Sequence, residues 1–197
     1  SRFQAVYPDR MIDVGIAEEH AVTMCAGMAA GGMRPYFAVY ASFFQRGYDQ
    51  MIHDVCMQKL PVCFLLDRAG LVGEDGATHH GVFDLASMLP IPNMTVLAPR
   101  DLQELRLMVR WTEHMGGPCA IRYGKHSVDM SETYPCREFT PGKWELMEDG
   151  PDAALLAVGS MGERGPVMRG VLGRQSIPGG AGHRSHLVAH CGGCRVT

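Results

Sequence analysis

The most constraining feature of the sequence is the uninterrupted apolar run at residues 62–66, VCFLL, which ends at Asp67. A strand that alternates apolar and polar residues can leave one face in water, whereas a strand that is apolar at every position must be covered on both faces. Such strands are typical of a parallel sheet with helices on both sides. The run therefore predicts an α/β domain.

Short apolar segments alternate with helix-length segments over residues 11–123. We expect strands at 11–14, 36–40, 62–66, 95–97 and 119–122, and helices at about 18–30, 43–58 and 102–114. Gly31 and Gly32 would end the first helix, and Asp101, with Glu104 at capping-box spacing, would begin the third. This alternation predicts a doubly wound, mostly parallel α/β sheet, in which ligands bind at the carboxyl ends of the strands.

The pattern divides the chain into four parts. Residues 1–124 form the predicted α/β domain, 125–142 a polar linker, 143–160 two strands that open a second α/β domain, and 161–197 a tail without pattern. Because no apolar helical face can be drawn in the tail, we expect it to be disordered or to result from a frameshift. The N-terminus has neither an initiating Met nor a signal peptide, so we expect a cut into a longer polypeptide.

The composition indicates which binding partners and which cellular compartment are compatible with the chain. The net charge of −3 gives no electrostatic reason to bind nucleic acid or an acidic membrane, and no apolar run approaches the roughly 18 residues that span a bilayer. The seven cysteines favour reduced thiols in a cytoplasmic protein, with Cys25, Cys56, Cys63 and Cys119 as small buried hydrophobes. No metal site is predicted. The His pair in the loop has no third ligand at a favourable spacing, and Cys191 and Cys194, which could bind zinc together with nearby His, have no second CxxC and lie in a tail without pattern.

The pair Glu18–Glu19 opens a helix that otherwise consists of small and apolar residues. Judged by the residues alone, a first-turn carboxylate stabilised by the helix dipole is the favoured interpretation. The alternative is a poorly hydrated carboxylate that shares a proton with a ring nitrogen of a ligand. Adjacent helical residues point to different sides, so at most one of the two acids faces a given site.

Two further segments carry candidate site residues. Phe43 and Arg46 are three residues apart, so they share a helix face where they could stack a ring and hold an anion, although aromatic residues at such a junction are usually core. The loop at residues 67–81 is long and rich in glycine, which is usual for functional loops. Arg68 and Arg122 both leave strand ends, so they could converge on one phosphate.

Five segments carry a resemblance to a known family, and they are VGIAEEHAV, YASFFQRGYDQMIHDVC, PVCFLLDRAGLVGEDGATHHG, FD and IPNMTVLAP. Together they resemble the 1-deoxy-D-xylulose-5-phosphate synthases, thiamine-diphosphate enzymes of the transketolase group. The resemblance covers about residues 7–123 and extends more faintly to 161. It implies that the chain is most of a pyrimidine-binding domain, without its first strand, followed by the start of a C-terminal domain. The domain that binds the diphosphate and Mg²⁺ would be missing.

The resemblance implies roles for the cofactor-binding residues. Glu18 would hydrogen-bond N1′ of the cofactor's aminopyrimidine and act in catalysis. Phe43 would stack on that ring, and Tyr40 and Arg46 would line the same pocket. Glu19 stands where the family commonly has Gln, at a position to which we assign no chemistry.

The resemblance also implies roles for the substrate-binding residues. Asp75 and His79 would face the substrate, and His79 would exchange protons with its oxygens. Arg68 and Arg122 would hold the phosphate of glyceraldehyde 3-phosphate, with Tyr40 nearby. His80, like Glu19, replaces a common Gln outside the chemistry, and the tail departs further from the family.

The implied function is a transferase reaction that condenses pyruvate with glyceraldehyde 3-phosphate and releases CO₂. The product, 1-deoxy-D-xylulose 5-phosphate, is a precursor of isoprenoids, thiamine and pyridoxal. The intact enzyme would be a homodimer in the bacterial cytoplasm, and the chain alone would be inactive. Two alternatives stay open: another transketolase-like enzyme, such as a 2-oxo acid dehydrogenase β chain, and a non-catalytic truncated product.

Overall fold

The computed structural model describes residues 2–125, 139–148, 153–162, 186–191 and 193–195. The helices in these residues are α1 (Arg2–Val6), α2 (Glu18–Ala30), α3 (Ala41–Phe44), α4 (Tyr48–Gln50), α5 (Asp84–Met88) and α6 (Leu102–Thr112). The strands are β1 (Tyr36–Tyr40), β2 (Cys63–Asp67), β3 (Thr95–Leu97), β4 (Cys119–Arg122), β5 (Trp144–Glu148), β6 (Ala153–Val158), β7 (His186–Cys191) and β8 (Gly193–Arg195).

The larger sheet confirms the predicted α/β fold. Its strand order is β1-β2-β4-β3-β8, and the pairs among the first four strands are parallel. The apolar run predicted to be covered on both faces forms β2, which lies between β1 and β4, and Phe64 and Leu66 are fully buried. Strands β1, β3 and β4 match the predicted bounds.

Helix α2 ends where predicted and packs closely on the next helical segment. Gly31 donates backbone hydrogen bonds to the last turn, and Gly32 has a φ of 88°, which favours glycine. The buried side of α2 is made of small residues, including Ala21 and Val22. A Cβ at Gly47 would lie 2.9 Å from a methyl of Val22, so glycine there allows close approach of the backbone to α2.

The predicted helix at 43–58 is present, but its winding is irregular. It begins at Ala41 with α3, tightens to a 3₁₀ turn at Gln45–Gly47, continues as α4 and widens to a π-helix at Met51–Cys56. Such irregular turns often mark functional sites. The 3₁₀ turn carries Arg46, so the change of winding sets the position of a predicted site residue.

Helix α6 begins as predicted, with a modified cap. The carboxylate of Asp101 accepts a hydrogen bond from Glu104 N–H at 2.8 Å. The carboxylate of Glu104 accepts from Arg100 N–H at 2.6 Å, one residue before the position that a capping box would use. The helix ends at Thr112, two residues earlier than expected.

The predicted strand at residues 11–14 is wrong. These residues form no strand, and Met11 and Ile12 are exposed. Asp13 instead accepts a hydrogen bond from Gly15 N–H at 2.9 Å, which turns the chain before α2. A strand needs a neighbour for its backbone groups, and in the described part of the chain no strand pairs with this segment.

The cysteines predicted to be buried are buried, and all four are free thiols. Burial raises the pKa of Cys25 to about 11 and that of Cys56 to about 12. Cys63 and Cys119 are register partners on β2 and β4. Cys136 lies outside the described residues.

The smaller sheet has the order β5-β7-β6, with β5 antiparallel and β6 parallel to β7. Strands β5 and β6 are the two predicted after the linker. Strands β7 and β8 come from the tail, where the sequence shows no pattern, and β8 pairs with β3 of the larger sheet. Residues 126–138 of the predicted linker and much of the tail lie outside the described residues. The frameshift stays a prediction.

The loop after β2 is closed at its base by two glycines. Gly70 and Gly81 each donate a backbone hydrogen bond to the carbonyl of the other, at 2.8 and 2.9 Å. A Cβ at Gly81 would lie 2.6 Å from both the Ala41 Cβ and the Arg68 carbonyl oxygen. Glycine at this position is therefore a steric requirement.

We predict that Gly81→Ala lowers the free energy of unfolding by about 2 kcal/mol, because the added methyl overpacks against backbone. Urea unfolding followed by circular dichroism measures the change. The matched control is Gly27→Ala in the interior of α2, where a Cβ meets nothing within 4 Å. That substitution should raise stability by up to about 1 kcal/mol. Unchanged stability of Gly81→Ala would contradict the packing described.

Candidate active site at the carboxyl edge of the sheet

The parallel strands bring the predicted site segments to one edge of the sheet. Tyr40, the last residue of β1, is in register with Asp67 at the end of β2, and Leu66 is in register with Arg122 of β4. Past the strand ends, Ala69 N–H donates to the Tyr123 carbonyl at 2.9 Å. Arg68 and Arg122 therefore leave neighbouring strands, as the sequence pattern predicts.

Glu18 is the first residue of α2 and is buried, at 7% exposure, whereas its neighbour Glu19 is exposed. Its Oε1 accepts a hydrogen bond from Arg46 Nη1 at 2.7 Å. The carboxylate thus has both the helix-start location of the structural interpretation and the burial that the functional one requires. Only one of the two acids faces inward, as expected for adjacent helical residues.

A row of rings lies beside this ion pair. Arg46 sits over the Phe43 ring, 5.1 Å from its centroid, and Tyr40 stacks on Phe43 at 5.4 Å. His79 meets Phe43 edge-on at 5.3 Å. Tyr40 and Phe43 are only partly buried, whereas the adjacent Phe44 is the core residue of the junction. The row brings together residues that were predicted separately from the helix and from the loop.

Arg68 also lies against the ring row, over Tyr40. Its guanidinium carbon lies 3.9 Å from the centroid of the Tyr40 ring, and its backbone is left-handed, with φ of 60°. Its Nε donates to Asp75 at 2.8 Å and its Nη1 donates to Asp67. Two carboxylates therefore hold this guanidinium over the ring.

Asp75 binds two cations at once. One carboxylate oxygen accepts from Arg68, and the other accepts from Lys125 Nζ at 2.7 Å. The hydrogen bonds from Lys125 and from Arg68 lower the pKa of Asp75, and the bond to Asp75 raises the pKa of Arg68. Lys125, three residues after Arg122, thus ties the end of β4 to the loop.

Arg122 is held by an acid from outside the loop. Its Nε donates to Asp84 at 2.6 Å, and the Asp84 side chain is 3% exposed. The contacts therefore join Arg122 to α5. Convergence of Arg68 and Arg122 on one phosphate stays a prediction.

Three contacting residues of the site, Asp67, Asp84 and Lys125, carry no predicted role. Asp84 belongs to the FD segment that contributes to the family resemblance, and Lys125 lies shortly after β4. The sequence therefore contains only weak indications that these two residues belong to the site. His80 has a structural role in the loop, where its Nδ1 accepts from Val72 N–H at 3.2 Å.

Neither a metal site nor a membrane-spanning helix is found among the described residues. No group of three or more His, Cys, Asp or Glu side chains there is arranged to hold a metal ion. Among the same residues, no helix is long and apolar enough to cross a bilayer.

A model of the transketolase pyrimidine-binding domain matches residues 1–130. The chain belongs to this family. The match includes every strand end and loop that forms the candidate site, from Glu18 to Lys125. The family membership implied by the motifs is thereby confirmed.

Curated relatives extend the similarity beyond the domain. The chain is 52% identical to a 1-deoxy-D-xylulose-5-phosphate synthase of Clostridium acetobutylicum over 176 residues, which is 89% of this chain and 28% of that protein. It is 51% identical over 162 residues to the synthase of Pelotomaculum thermopropionicum, covering 82% and 25% of the two chains. The predicted resemblance to this synthase family is confirmed. The chain spans about a quarter of the length of these relatives.

Solved structures show the same fold. A split-gene transketolase, described as an inactive β4 tetramer, superposes with a TM-score of 0.81 at 28% identity, over 98% of this chain and 60% of that one. A transketolase from Campylobacter jejuni superposes with a TM-score of 0.75 over 92% of this chain and 28% of that one. At 19% identity the second likeness concerns the fold alone.

We predict that Lys125→Met raises the pKa of Asp75, because it removes the hydrogen bond that lowers it most. A carboxylate with a lowered pKa stabilises the fold above its ordinary pKa of 3.8, and this stabilisation is lost as the pH falls through the lowered value. The variant should therefore begin to lose this stabilisation at a higher pH than wild type.

Carbon-detected NMR titration of the Asp75 carboxylate measures the shift. Lys143→Met is the control, since it removes the same charge from an exposed residue just before β5. Equal Asp75 titration in wild type and Lys125→Met would contradict the contact.

Proposed function

We propose that this chain is the pyrimidine-binding part of a 1-deoxy-D-xylulose-5-phosphate synthase. The reaction would condense pyruvate with glyceraldehyde 3-phosphate and release CO₂. The observation that carries the proposal is a buried acid, Glu18, joined through Arg46 to the partly exposed ring of Phe43. Identity of about one half to synthases of this name over most of the chain supports it.

The donor set fits thiamine diphosphate. A pyrimidine ring needs an aromatic surface and a carboxyl group for its nitrogen, and Phe43 and Glu18, which Arg46 links, offer these. When bound, the cofactor supplies the nucleophilic carbon that attacks pyruvate. Glu18 would hold a proton at the ring nitrogen N1′, and burial would keep water from competing for it. Arg46 would keep the carboxyl group aimed at the ring.

The other side of the ring row suits the substrates. Arg68 and Arg122 would bind the phosphate of glyceraldehyde 3-phosphate, since a guanidinium offers donors in a fixed fork. His79, edge-on to Phe43, would exchange protons with substrate oxygens. Asp75 would face the substrate while holding Arg68.

The proposal also assigns part of the cofactor site to residues outside this chain. We assign the diphosphate and Mg²⁺ ligands to a domain absent from it, so the 197 residues alone would be inactive. The related split-gene transketolase chain is itself described as an inactive tetramer, which supports this view. Homodimeric assembly and a cytoplasmic location belong to the same proposal. The buried free thiols favour the second.

We predict that Glu18→Gln reduces turnover by about 100-fold or more, because the amide cannot hold the proton at N1′. The assay uses a chimera in which this chain replaces the matched segment of the Clostridium acetobutylicum synthase, with pyruvate and glyceraldehyde 3-phosphate as substrates. Glu19→Gln is the matched control and should keep full activity, since Glu19 is exposed. Activity of Glu18→Gln within twofold of the parent chimera would remove Glu18 from its role. Turnover with lipoamide instead of the aldehyde would favour a dehydrogenase β chain.

The isolated chain should bind thiamine diphosphate and Mg²⁺ far more weakly than the chimera, because it holds only the pyrimidine end of the site. Calorimetric titration compares the two. Equal affinity would contradict the proposed division of the site. Absence of binding in a folded chimera would favour a non-catalytic protein.

A further inference from the structure

Asp84 is a buried acid at the site edge to which the proposed reaction gives no task. It is the first residue of α5, and its side chain is 3% exposed. Oδ1 accepts from the backbone N–H of Leu85 at 2.8 Å, and Oδ2 accepts from Arg122 Nε at 2.6 Å. Both carboxylate oxygens are thus committed, one to the start of a helix and the other to an arginine.

The two arginines differ in the nitrogens that remain for a ligand. Arg68 donates from Nε to Asp75 and from Nη1 to Asp67, so one terminal nitrogen is left. In the described residues Arg122 donates only from Nε, so both of its terminal nitrogens are left. Two terminal nitrogens form the edge of a guanidinium that makes parallel hydrogen bonds to two oxygens of one phosphate.

We propose that Asp84 is a positioning residue that fixes Arg122 through Nε, so that Arg122 provides the main two-point contact to the substrate phosphate. Arg68 then provides a single, secondary contact. This inference rests on the proposed function, since it concerns the phosphate of the same substrate. It assigns unequal roles to two arginines that sequence analysis treated as equivalent.

A purely electrostatic role for Asp84 makes the opposite prediction. A negative charge close to Arg122 repels an incoming phosphate, so neutralising Asp84 would strengthen binding if charge alone mattered. If the carboxylate instead holds the guanidinium in place, neutralising it frees the side chain to adopt other rotamers and weakens binding. The sign of the change in affinity separates the two roles.

The test is titration of the ¹⁵N-labelled 197-residue chain with inorganic phosphate, observed at the arginine side-chain NMR signals. We expect the Nε–H signal of Arg122 to be protected from solvent exchange, and phosphate to shift its terminal-nitrogen signals. Asp84→Asn should lose that protection and bind phosphate about tenfold more weakly, a change typical of one positioning interaction. The control, Asp49→Asn, alters an exposed acid of α4 and should bind as wild type does.

Arg122→Lys keeps the buried charge pair, so it decides the question if Asp84→Asn does not fold. A lysine has a single nitrogen, which cannot be anchored by Asp84 and make a two-point contact as well. We expect a loss at least as large as that of Asp84→Asn. Full affinity in either folded variant, or phosphate leaving the wild-type Arg122 signals unmoved, would overturn the inference.

The outcomes also separate this inference from the proposed function. An active chimera with unchanged phosphate binding in Asp84→Asn would remove the role of Asp84 and leave the enzyme assignment intact. Conversely, a chimera that is folded and inactive, together with weakened phosphate binding in Asp84→Asn, would retain the positioned arginine and remove the reaction.

Discussion

Parallel pairing of β2 with β1 on one side and β4 on the other is the constraint on which the rest of the site depends. Because the three strands run the same way, their carboxyl ends meet at one edge, and whatever follows each strand must share that space. Arg68, Arg122 and the ring row that begins at Tyr40 are neighbours for this reason. The apolar residues of β2 stabilise the arrangement, since they bury both faces of the strand.

Charge balance is the second organising feature of this edge. The cations there are each bound to a carboxylate: Arg46 to Glu18, Arg122 to Asp84, and Arg68 and Lys125 to Asp75. Partly buried charges are costly unless paired, so the pairs allow several cations to stand close together. Each acid also determines which nitrogens of its cation remain without a contact to these carboxylates.

Much of the fold was predictable from local pattern, and much of the site was predictable from the family motifs. β2 could be identified because every residue in it before Asp67 is apolar. Residues 11–14 are also mostly apolar but lack a pairing partner, which no local pattern reveals. That Glu18 is buried and Glu19 exposed could be learned only from the packing of α2. The roles of Asp84 and Lys125 were not predicted, because their partners lie 38 and 50 residues away in sequence and the contacts depend on the path of the intervening chain. The roles of the site residues in the reaction stay predictions.

The glycine pair at the base of the loop has a consequence for how such proteins diversify. The ten residues between Gly70 and Gly81 leave and rejoin the sheet edge at a single hydrogen-bonded point, so they form a cassette. Substitutions or exchanges within the cassette can change what the loop presents to a substrate without altering the strand register or the acid at the start of α2. The loop cassette and the acid at the start of α2 are therefore separate structural units, and selection can act on one while the other stays constant.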